Sequence, residues 1–110
     1  LPLDSPTYQS VKRILEKEPK VYVPKEKLDD VRQAILREYA QDDCLVEVGN
    51  ILYRSREDRY RVDITVDDGC QERAKEMCRE ISELVEDLAG CESEVWAYTS
   101  GNALMARWLP

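Results

Sequence analysis

The chain contains no histidine. That removes the commonest general base and the commonest metal ligand, so a serine, threonine or cysteine nucleophile would lack the base that usually activates it. Glycine is scarce, at four residues, and none of the four belongs to a run that cradles phosphate. There is no CxxC pair, and the cysteine spacings of 26, 8 and 13 match no familiar zinc module, which argues against a zinc centre and a dithiol redox centre alike. No apolar run approaches the roughly 18 residues of a membrane-spanning helix. Internal repeats, low-complexity tracts and linkers are also missing. The expectation is a non-enzymatic protein with no metal and no cofactor.

Adjacent carboxylates occur at Asp29–Asp30, Asp42–Asp43 and Asp67–Asp68. Neighbouring helix positions do not face each other, and acids are ordinary at helix entrances, so these pairs read as caps and not as a catalytic dyad.

What the sequence does contain is a well-mixed globular composition: 110 residues, 43% apolar and 35% charged, with a net charge of −7. That length supports one core and one domain, residues 1–110. The acidic balance disfavours nucleic acid and anionic membranes, because both reward a cationic surface.

Apolar spacing divides the chain into a helix over 1–19, a core over 20–99 and a tail over 100–110. In the first part Ser5 caps Pro6, and Tyr8, Val11, Ile14 and Leu15 share a helix face. "KVYV" reads as a short strand. A second helix opens at Pro24 with the stripe Leu28, Val31, Ile35, Tyr39. A hairpin follows. On its first strand Cys44, Val46 and Val48 share a face, with Ile51 and Tyr53 out of phase unless a bulge at Gly49–Asn50 resets the alternation. On its second strand Tyr60, Val62, Ile64 and Val66 alternate with Arg59, Arg61, Asp63 and Thr65. The longest helix has the stripe Cys70, Ala74, Met77, Cys78, Ile81, Leu84, Val85, Leu88 and exits at Gly90. "SEVWAYT" is the last strand, and the tail is either a helical turn or an extended piece.

This order predicts an α+β fold. The specific expectation is a ferredoxin-like split βαβ, a four-stranded antiparallel sheet with two helices on one face, preceded by the N-terminal helix. The opposite sheet face is then bare unless the first helix, the tail or a second chain covers it.

That topology brings Cys44 close to Cys70, so a disulfide between them is expected. Cys70 and Cys91, some twenty helical residues apart, would be separated by about 30 Å, far beyond the roughly 7 Å Cα limit. Cys78 reads as a small buried apolar residue, and its state and that of Cys91 stay open. The start "LPLDSP" and the even cysteine number together favour a secreted, processed chain, with a cytoplasmic protein as the alternative.

Two surfaces stand out as candidates for a protein partner. The stretch "LYRSREDRYRV" places Arg54, Arg56, Arg59 and Arg61 around a hairpin tip, where arginine either solubilises an edge or serves an interface. Trp96 and Tyr98 on the last strand lie next to Leu104, Met105 and Trp108 of the tail, which either cover the sheet or form a patch that drives homodimer or heterodimer formation.

In strand–helix order, "VYVPKEKLDDVRQAI" and "RYRVDITV", each followed by a helix, resemble the last domain of the translation initiation factor 2 alpha subunit over about Val21–Leu88. That resemblance implies an intracellular domain of a larger assembly. In overall character the chain also resembles small secreted fungal effectors and toxin-like proteins with α/β-sandwich folds: the "LPLDSP" start, small size, four cysteines and no catalytic set. This second resemblance implies a virulence protein that acts by binding a partner protein.

Overall fold

The computed structural model describes residues 25–110; the expected helix over 5–18 and the strand at 20–23 lie outside them. The described chain runs α1 (Lys25–Glu38), β1 (Leu45–Arg54), β2 (Arg59–Val66), α2 (Gln71–Ala89), β3 (Glu92–Tyr98) and β4 (Leu104–Trp108). The strands form one four-stranded sheet in the order β1-β2-β3-β4.

Alternation dictates the inner face. Tyr60, Val62, Ile64 and Val66 are buried along β2, and Val95 and Ala97 continue the layer on β3. The helices supply the other half of the core: Val31, Ile35 and Tyr39 at α1, and Ala74, Met77, Cys78, Ile81 and Val85 on α2. Both helices therefore lie on one side of the sheet, as their apolar stripes require. Leu88, at the end of the α2 stripe, is exposed. The helix stops at Gly90, whose φ of 74° is the left-handed conformation that glycine adopts without a Cβ clash, and its N–H donates to the Glu86 carbonyl.

The expected bulge is present: the β1–β2 register shifts between Val48 and Ile51. Gly49 suits this point because a Cβ there would stand 3.3 Å from the Asp63 carbonyl oxygen. Arg32 of α1 donates to the carbonyls of Val48 and Gly49 at 2.6 and 2.7 Å, tying the helix to the irregular strand. A second shift, between Leu45 and Glu47, corrects the expected inward placement of Val46, which is turned out to solvent. One inserted residue reverses the pleat, and period-two counting misses it when it falls near a strand end.

The expected antiparallel sheet is corrected at one interface. β1–β2 and β3–β4 are antiparallel, but β2 and β3 are parallel neighbours, with Val62 opposite Val95 and Ile64 opposite Ala97. A strand–helix–strand link returns the chain to the end it left, so its two strands run the same way. Whether they touch or admit a third strand between them is decided by the sheet, not by their own residues. Here they touch. The tail forms the remaining strand, β4, against β3.

Candidate partner-recognition face

The side of the sheet away from the helices carries the outward-pointing residues of all four strands. On β2 these are Arg59, Arg61, Asp63 and Thr65; the parallel register sets Glu92, Glu94, Trp96 and Tyr98 of β3 directly beside them. Leu52 and Arg54 of β1 pair with Arg61 and Arg59, and Arg107 of β4 pairs with Trp96. Pleating and register alone assemble this grid.

Its centre is Trp96. The Arg61 guanidinium lies 4.7 Å from the ring centroid and that of Arg107 5.3 Å away, both within cation–π range. Arg61 is further fixed by donating to Asp63 at 3.1 Å and to the Tyr98 hydroxyl at 3.2 Å. Arg61 titrates above the ordinary guanidinium range: burial opposes the shift, and the bond to Asp63 prevails.

One register step away is Glu94, a carboxylate only 5% exposed on the sheet face opposite α1 and α2. Arg54 approaches it at 3.6 Å and Arg59 at 3.5 Å. Arg59 also reaches Glu92 at 3.8 Å. Among the described residues Glu94 Oε1, Arg59 Nε and Trp96 Nε1 are buried without a hydrogen-bond partner, and all three belong to this face. At its far end the β1 bulge opens a cleft of about 320 Å³ between Asn50, Asp63, Thr65, Tyr98 and Asn102. Asn102 adopts a φ of 65°, tolerated by asparagine in turns.

Of the residues singled out in the sequence, Arg54, Arg59, Arg61, Trp96 and Tyr98 come together here. Arg56 sits exposed in the hairpin turn. The tail residues divide: Leu104 is exposed opposite Tyr98, Met105 packs against the core, and Trp108 is exposed opposite Val95 at the sheet edge. A register shift in the β3–β4 pair causes that division. Sequence reading missed Arg107 and Glu94. Counting by twos back from Trp96 reaches Glu94, whereas Arg107 becomes a neighbour of Trp96 only once β4 is paired.

At the other end of the molecule Cys44 and Cys70 form the expected disulfide, with a Cα separation of 5.7 Å. Cys78 and Cys91 are free thiols. Burial pushes the Cys78 thiol up to about 12 and also raises that of Cys91, the reverse of what activates a thiolate nucleophile. Among the described residues no helix is long and apolar enough to cross a membrane, and no three metal-ligating side chains converge.

Comparison with protein-family models, with curated proteins and with solved structures finds no match to this chain.

Proposed function

We propose that this chain is a non-enzymatic protein-interaction module, a small secreted effector or toxin-like protein that engages a partner protein through the sheet face opposite α1 and α2. The observation that carries this reading is Trp96 held between Arg61 and Arg107 beside the buried Glu94. Tryptophan and arginine are the residues that dominate binding energy at protein interfaces, and here three adjacent strands, β2, β3 and β4, set them side by side.

The Cys44–Cys70 bridge supports an oxidising compartment. The absence of histidine and the raised thiols of Cys78 and Cys91 support binding over catalysis. The α+β layering, two helices over a four-stranded mixed sheet, supports a small self-contained interaction module.

The test is site-specific photo-cross-linking in an extracellular protein extract. A photoreactive residue at Thr65, on the face, should form a discrete adduct that Trp96→Ala abolishes, while one at Glu83 on the helical side should form none. A self-adduct of doubled mass would make the partner a second copy of the chain. Equal adducts from both positions, or none from Thr65, would refute the assignment.

A further inference from the structure

Covalent and ionic ties converge on one corner of the helical side, where the first turn of α2 grips the link between α1 and β1. Cys70, the N-cap residue of α2, is bonded to Cys44, which stands immediately ahead of β1. One turn further on, Arg73 donates to Asp42 from Nε at 3.1 Å and from Nη2 at 2.8 Å, and to Glu80 at 2.9 Å. Glu80 also accepts from the Tyr39 hydroxyl at 2.9 Å, and the Arg73 guanidinium lies 5.8 Å from the Tyr39 ring centroid. The main chain adds two bonds here: the Asp67 N–H donates to the Cys44 carbonyl at 2.8 Å, and the Cys44 N–H to the Asp42 carboxylate at 3.0 Å.

The segment gripped at this corner is otherwise weakly held. α1 buries Val31 and Ile35, with Tyr39 just past its end, a single line of side chains one turn apart, whereas α2 buries six. No residue from 40 to 47 is buried, and β1 slips register between Leu45 and Glu47. Arg32 adds a tie from α1 to the bulge carbonyls. Two clefts flank the corner, one of about 300 Å³ lined by Tyr39, Glu80 and Leu84, the other of about 490 Å³ lined by Cys44, Cys70 and Arg73. A segment with few buried apolar groups opens at a lower free-energy cost than the rest of its fold.

We propose that residues 25–47 form a redox-gated flap, with the Cys44–Cys70 bridge as its latch and Arg73 as the catch that holds Asp42 while the bridge is whole. Asp42 is two residues from a point pinned to α2, so its pair with Arg73 reforms at high effective concentration whenever it breaks. Once the bridge is reduced, the ionic and apolar ties hold the flap unaided. The reductant is a dithiol. One of its thiolates attacks a bridge sulfur, the S–S bond breaks, and the other cysteine leaves as a thiolate that takes up a proton. The second thiol then displaces the remaining cysteine, so the reductant ends as a disulfide and Cys44 and Cys70 as thiols. An oxidising compartment keeps the flap shut. A reducing one frees it and bares Val31, Ile35 and Tyr39 with the surfaces of β1 and α2 on which α1 packs. This device stands apart from the recognition face, which lies on the other side of the sheet.

Hydrogen exchange read by mass spectrometry on the full-length chain, before and after dithiothreitol, tests the flap. Amides of residues 28–47 should exchange about tenfold faster or more once the bridge is reduced, with those of 74–88 and 92–98 little changed. Reoxidation should restore the slow exchange. Cys44→Ser/Cys70→Ser should exchange fast over 28–47 with or without reductant, and Arg73→Gln added to it should speed that exchange further. Equal acceleration in α2 and β3, which would mean that the whole fold loosens, overturns the proposal. So does unchanged exchange over 28–47 on reduction, or exchange there that is already fast in the bridged chain.

Discussion

Ser82 donates its hydroxyl to the main-chain carbonyl of Ser93 across 2.7 Å, and both residues are buried. This bond fastens α2 to the start of β3 and so helps hold β3 in place beside β2. Ser82→Ala leaves a buried carbonyl without its side-chain donor and should cost about 1–3 kcal/mol. A lower urea midpoint with an unchanged m-value is the expected readout.

The Cys44–Cys70 bridge closes a loop of 26 residues. Chain-entropy reasoning assigns such a loop roughly 3–4 kcal/mol of stabilisation. Reduction should lower the melting temperature accordingly. A thiol count on the unfolded, unreduced chain should find two thiols, those of Cys78 and Cys91, rising to four with reductant.

Glu94 makes Arg59 a structural residue as well as a candidate contact. Arg59→Glu would place a second carboxylate against a buried one and should destabilise the fold by about 2 kcal/mol or more, since removing one partner of a buried pair leaves an uncompensated charge. Adding Glu94→Gln should restore much of the loss. A double-mutant cycle by denaturant unfolding measures the coupling, and additive effects would show that the two side chains act independently.

Ile64 on β2 is fully buried in the core formed with the helices. Ile64→Asp would place an unpaired charge in the core and should abolish cooperative unfolding, read by circular dichroism during a thermal scan.

Acid and alkali should each loosen the fold, through different groups. The Glu80 carboxyl is held below its ordinary range, chiefly by the Arg73 guanidinium. At Asp42 burial opposes the same shift, and bonds from the Cys44 N–H and Arg73 overcome it. Depressed carboxylates stabilise above their unfolded value near 4, and that contribution disappears as pH falls through the folded values. Arg73→Gln should flatten this acid limb. Tyr53 is raised to about 12, first by its bond to Asp58, and Tyr39 and Tyr60 are raised by burial. Their contribution is complete below pH 10 and lost as pH rises toward 12, so phenolate absorbance should lag behind that of free tyrosine.

The local elements were legible in the sequence because each is written in residues that are neighbours along the chain. Leu28, Val31, Ile35 and Tyr39 recur at helical spacing, Tyr60 through Val66 alternate, and Gly90 ends a helix. The Cys44–Cys70 bridge followed from the hairpin bringing its two ends together. Strand adjacency was not legible: nothing in β2 or β3 alone says that they touch, because their crossover helix permits either contact or a gap. The outward turn of Val46 and the split of the tail at Met105 each hinge on one inserted residue, which reverses the pleat without changing composition. The same holds for the face itself. Sequence could nominate Arg61 and Trp96, but only the parallel register and the pairing of β4 set Arg61, Trp96 and Arg107 in one stack, because contact between distant segments is settled by which backbones share hydrogen bonds.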